Sequence, residues 1–101
     1  MLPQKIRDFV YQLISMTEGG KLSWKFSSSI SEALLNHAEY RIRLRYQFDG
    51  DSGLGSFIFS YQDRTRDQDF RFSATQEEAD DFFLLDRLYQ QAQASAMRLP
   101  F

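Results

Sequence analysis

Few side chains in this sequence are spaced to do chemistry, and the first group to test is Gly19-Gly20-Lys21. A phosphate-binding loop needs Gly, four residues, Gly-Lys and then Ser or Thr, so that backbone N–H groups and the ammonium surround the phosphates. Here Ser15 stands where the first Gly belongs, and Leu22 where the hydroxyl belongs. The segment also follows a helical pattern instead of a strand, so it reads as a helix end. A calcium loop beginning at Asp49 fails in the same way. Asp51 suits its third position, but Gly53, Leu54 and Ser60 occupy the fifth, sixth and twelfth. Asp49 and Asp51 share a turn, and Asp67 and Asp69 share a strand face if that strand starts early; such pairs could hold Mg²⁺ weakly, but the commoner reading is solvated turn acids. His37 is the single histidine, with no nucleophile beside it, and the chain has no Cys and no G-x-S-x-G elbow. The expectation is a protein that is not an enzyme and uses no metal or other cofactor.

Binding chemistry is better represented. In Tyr40–Phe48, Tyr40, Ile42, Leu44, Tyr46 and Phe48 alternate with Arg41, Arg43, Arg45 and Gln47. This two-residue period describes a strand with one dry face and one row of guanidiniums. Arg forks pair carboxylates and phosphates in fixed geometry, so the row suits an acidic partner. Lys25 and Arg71 are expected on the same face. A second charged group, Glu77, Glu78, Asp80 and Asp81, precedes and opens a long C-terminal helical pattern, where acids favour the positive end of the helix dipole. The stretch Gly53-Leu54-Gly55-Ser56-Phe57-Ile58-Phe59 is close to the aromatic RNA-binding strand of an RRM. Ser56, however, stands where an aromatic should follow the second Gly. Phe57 and Phe59 are therefore read as core.

These groups need elements to hold them. Ile6, Phe9, Val10, Leu13, Ile14 and Thr17 fall at helical spacing over residues 3–18, with Gly19 and Gly20 ending that helix. Leu22, Trp24 and Phe26 then alternate with Lys21, Ser23 and Lys25 as a strand whose Trp24 packs inward. Residues 29–37 suit a short helix or an ordered loop, because Ser29 and Glu32 match a capping box and Ile30, Ala33 and Leu34 share a helical face. Phe57, Phe59 and Tyr61 mark a further strand, and Phe70 and Phe72 another, separated by polar turns at Asp49–Gly55 and Asp63–Gln68. A helix over 76–97 follows, with Phe82, Leu85, Tyr89, Ala92 and Ala96 as its apolar stripe and Leu88 beside it.

At 101 residues the chain is expected to form one domain, residues 1–101, with ten Phe, five Tyr and one Trp to fill its core. Pro3, Lys5, Arg7 and Asp8 break up any secretory leader, and no apolar run approaches the ~18 to 20 residues that span a bilayer. No membrane association and a cytoplasmic location are expected. Net charge is −2, unevenly spread: residues 1–45 carry seven Lys/Arg against four Asp/Glu, and residues 46–101 five against ten. A dipolar surface of this kind disfavours general nucleic-acid binding.

Leu13, Thr17, Gly20, Lys21, Leu22 and Trp24 together make an L-x3-T-x2-G-K-[LI]-x-W pattern, and Leu85-Asp86-Arg87-Leu88-Tyr89 reads L-x-x-L-Y. With Tyr40 opening a strand between them, the chain resembles small uncharacterised bacterial proteins that carry these segments around a short sheet. The resemblance implies a bacterial, phage or mobile-element setting and no enzyme activity, and it assigns no functional residue.

The expected fold is α+β in two layers: an antiparallel sheet of about four strands, with N- and C-terminal helices on its aromatic face. The order is α-β-(short α)-β-β-β-α. The expected role is a small interaction protein that binds a protein partner or itself. It would do so through Lys25, Arg41, Arg43, Arg45 and Arg71, or through Glu77, Glu78, Asp80 and Asp81. The alternatives are a nucleic-acid accessory protein using the same arginines, and a ligand binder or enzyme with a pocket between helices and sheet.

Overall fold

The computed structural model describes residues 1–97. Its elements are α1 (Gln4–Glu18), β1 (Lys25–Ser27), β2 (Glu32–Asn36), β3 (Tyr40–Asp49), β4 (Leu54–Asp63), β5 (Gln68–Thr75) and α2 (Ala79–Ala96). The five strands form one antiparallel sheet in sequence order, β1-β2-β3-β4-β5. The class is the expected α+β, with five strands in place of about four.

The additional strand is β2, which corrects the reading of residues 29–37 as a short helix or loop. Ala33, Leu34 and Leu35 form a continuous apolar run, and such a run fits a helix face and a strand equally well. Pairing decides it. Ala33 lies opposite Leu44 and Leu35 opposite Ile42, so both side chains are buried inside the sheet's dry face. Ile30, assigned to the helical face, is exposed. Ser31 turns the chain between β1 and β2 with a positive φ of 51°.

Register carries the core across the sheet. Phe26, Ala33, Leu44, Phe59 and Phe72 stand side by side from β1 to β5. Beside them run Leu35–Ile42–Tyr61–Phe70 on one flank and Tyr46–Phe57–Ala74 on the other. Both helices cover this side. Phe9 of α1 meets Tyr40 and Tyr61 edge-on, at centroid distances of 5.8 and 5.5 Å. From α2, Phe82 and Tyr89 pack on Phe57, and Leu84, Leu85, Leu88 and Ala92 complete the core. Gly55 leaves room for the Tyr46 ring, since a Cβ there would lie 2.9 Å from two of its carbons. The α2 helix begins at Ala79, later than the expected residue 76, because Thr75 and Glu78 are used in the turn before it. The Thr75 N–H donates to Glu78 Oε1 (3.4 Å) and the Glu77 N–H to Thr75 Oγ1 (3.3 Å).

The end of α1 is a six-residue cap. Gly20 takes φ 74°, the Lys21 N–H donates to the Met16 carbonyl (2.9 Å) and the Gly20 N–H to the Thr17 carbonyl (3.1 Å). This is a Schellman arrangement, and Gly tolerates its left-handed position without a Cβ clash. The chain then brings Trp24 back under the helix. Its side chain is 4% exposed, and its indole N–H donates to Thr17 Oγ1 (3.0 Å), whose hydroxyl donates to the Leu13 carbonyl (2.7 Å). Ser95 of α2 closes the corner: its Oγ accepts from the Trp24 N–H (3.3 Å) and donates to the Leu22 carbonyl (3.2 Å). The strand therefore starts at Lys25, not Lys21, because α2 already holds the backbone groups of Leu22 and Trp24.

Trp24→Ala leaves a large cavity and removes the partner of Thr17. It should cost about 3 to 5 kcal/mol in urea unfolding, whereas Trp24→Phe should keep most of the packing and lose about 1 kcal/mol with the hydrogen bond. An unchanged midpoint for Trp24→Ala would place the indole outside the core.

Candidate partner-binding face

Residues opposite one another in a sheet share a face, so register also defines the side away from the helices. One row across that side reads Lys25–Leu34–Arg43–Ser60–Arg71, from β1 to β5. The flanking rows read Asn36–Arg41–Gln62–Asp69 and Ser27–Glu32–Arg45–Ile58–Ser73. All five expected cations are thus on one face, with Arg43, Arg45, Arg71 and Lys25 exposed and Arg41 half-buried.

The cations differ in their partners. Arg43 forms an ion pair with Glu32. Arg41 Nε donates to Asn36 Oδ1 (2.9 Å), which also accepts from Arg64 Nη2 (3.1 Å). Among the described residues, Arg45, Arg71 and Lys25 form no ion pair. Arg41, Arg43 and Arg71 surround the small Ser60, leaving a hollow of about 420 Å³ that Gln62 and Asp69 also line. Leu34 and Ile58, both half-buried, lie between the cations. Guanidiniums at i, i+2 spacing are ~7 Å apart, and their exposed repulsion is under about 1 kcal/mol, so the row persists without a partner.

Sequence reasoning missed Glu32, Leu34 and Asn36 as members of this face because it missed β2. Their signal was the alternation of Glu32, Leu34 and Asn36 against Ala33 and Leu35, which the serine-rich approach to that strand disguised.

The acidic group does not form a surface of its own. Asp81 is 5% exposed, accepts from the Leu2 N–H (2.8 Å) and forms an ion pair with Arg7 of α1. Glu78 pairs with the Met1 amine, and hydrogen bonding from that amine, then from the Thr75 N–H, holds its carboxyl below the usual range. Only Glu77 and Asp80 stay exposed. Asp81 is therefore corrected from a partner-binding residue to an internal one, and Glu78 is occupied within the chain. Two of the other polar residues weighed for chemistry bond to the chain's own backbone. His37 stacks on Tyr40 (4.3 Å between centroids) and its Nδ1 accepts from the Glu39 N–H (3.1 Å). Asp49 accepts from the Asp51 N–H (3.0 Å) within its turn.

Removing the Asp81 carboxylate strands the Arg7 charge and the Leu2 N–H together. Asp81→Ala should lower stability by about 3 kcal/mol, and Arg7→Met with Asp81→Leu should recover much of that loss. A double-mutant cycle in denaturant checks this, and additive losses would mean that the two side chains do not act as a pair. Compared with protein-family models, with curated proteins and with solved structures, the chain matches none.

Proposed function

We propose that the chain is a non-enzymatic binding protein that docks an acidic segment of a partner protein on the outer face of its sheet. The observation that carries this reading is the placement of Lys25, Arg41, Arg43, Arg45 and Arg71 on one side of five strands, opposite the helices. Carboxylates of the partner meet rigidly based guanidinium forks, three of them around the Ser60 hollow. Leu34 and Ile58 add apolar contacts that a peptide's side chains can use. Glu32 and Asp69 on the same face, and the net charge of −2, oppose a phosphodiester backbone. An exposed strand row of this kind sets partner choice and on-rate through charge, with the apolar pair adding residence time.

The test is fluorescence anisotropy with a labelled peptide of alternating Glu and Leu at physiological salt. Binding should weaken about tenfold or more when Arg41→Ser, Arg43→Ser and Arg45→Ser are combined, with the circular dichroism spectrum unchanged. Equal affinity in the triple variant would overturn the proposal. Tighter binding of DNA or RNA, falling steeply with added salt, would overturn it in favour of a nucleic-acid role.

A further inference from the structure

The two edges of the sheet are unequal. β1 has three residues, whereas β5 has eight, pairs among the described residues only with β4, and carries no Pro, Lys or bulge along its length. Natural sheets ordinarily blunt a long edge with such devices, because its unpaired N–H and C=O groups template another strand. The open groups of β5 can be named. The Gln76 N–H donates to the Gly55 carbonyl (3.1 Å), so even-numbered residues of this antiparallel strand bond to β4. Asp69, Arg71 and Ser73 therefore direct their backbone groups away from the sheet.

We infer that β5 pairs with the β5 strand of a second copy, antiparallel about a two-fold axis at Phe70, joining two sheets into one. This goes beyond the function proposed for the arginine face and shares Arg71 with it, so the dimer would leave Arg41, Arg43, Arg45 and Lys25 to meet the acidic partner. Charge complementarity selects the occupant. With Phe70 on the axis, Asp69 lies directly opposite the partner's Arg71, and Arg71 opposite the partner's Asp69. Both are on the outer face, and both pairs exchange main-chain hydrogen bonds. Shifting the axis to Arg71 would set guanidinium against guanidinium, and shifting it to Phe72 would face Arg71 with Ser73 and lose both ion pairs.

The inner face agrees. Phe70 is 46% exposed in the single chain, at the rim of a groove of about 580 Å³ lined by Ile6, Phe9, Tyr61 and Phe72. On the axis it meets its own copy in a non-hydrogen-bonded pair, where side chains approach most closely, at a Cα separation of about 4.5 Å. Cross-strand aromatic and opposite-charge pairs are what stabilise and align such a ladder. The interface is isologous, so it closes at two copies and leaves no long edge to propagate.

Sedimentation velocity over a concentration series tests the inference. The unaltered chain should show a reversible dimer. Asp69→Arg or Arg71→Asp alone places like charges opposite each other twice per dimer and should raise its dissociation constant about tenfold. Asp69→Arg combined with Arg71→Asp restores opposite charges in both places and should return the constant to the parent value. Phe70→Cys should cross-link the dimer across the axis on mild oxidation. A chain that stays monomeric at every concentration, single variants that dimerise like the parent, a double variant without recovery, or Phe70→Cys that fails to cross-link would each overturn it. The anisotropy measurement at Arg41, Arg43 and Arg45 does not depend on these variants, so either reading can fail alone.

Discussion

β3 is the middle strand of the sheet, and along it Ile42 and Leu44 are fully buried while Arg43 and Arg45 are exposed. A slip of one residue against β4 would turn the guanidiniums onto the helices and the aliphatic side chains to water. Burying even one unpaired charge costs several kcal/mol, so this alternation forbids every neighbouring register. The remaining architecture follows from it. β4 and β2 must present Phe57, Phe59, Ala33 and Leu35 to the same side, and α1 and α2 have only that side to cover. The cations gather on the other side for the same reason, so the candidate binding face and the core are products of one constraint.

The helical layer is fastened at its two ends by polar contacts that the sheet does not supply. At one end Asp81 takes the Leu2 N–H and Arg7, joining the starts of α1 and α2. At the other, Thr17, Trp24 and Ser95 link the end of α1, the approach to β1 and the last turns of α2. Between these points the exposed Glu18–Arg87 pair contributes little, because surface ion pairs are screened. The hydrophobic contacts are broad and tolerant of small rotations, whereas the two polar anchors each have a single geometry. They set the orientation of the helices over Phe57 and Phe59.

Much of this was legible in the sequence where periodicity was strong and local. α1, β3, β4 and the helix end at Gly19-Gly20 can be read from spacing alone, and so can the outward direction of Arg41, Arg43 and Arg45. Three features were hidden because distant segments decide them. β2 owes its conformation to pairing with β3 and not to its own Ala33-Leu34-Leu35 run. The late start of β1 comes from Ser95, which claims the backbone of Leu22 and Trp24 from more than 70 residues away. Asp81 looks like a helix-dipole acid, and only the packing of α1 reveals it as a buried anchor. Local pattern fixes the face of a residue well and its partner poorly, which is why the arginine row was readable and the fate of the acids was not.

The sequential strand order has a kinetic meaning. Each strand pairs with the next one in the chain, so the sheet grows by adjacent hairpins, whose short connections close at small entropic cost. The helices are different. Leu2 and Asp81 are separated by 79 positions, so this anchor of α1 forms only when nearly the whole chain has been gathered. Topology therefore separates the local pairings of the meander from the long-range contacts that lay the first helix and the approach to β1 against the last helix. The barrier associated with ring closure belongs to the helical layer, and the sheet is its template.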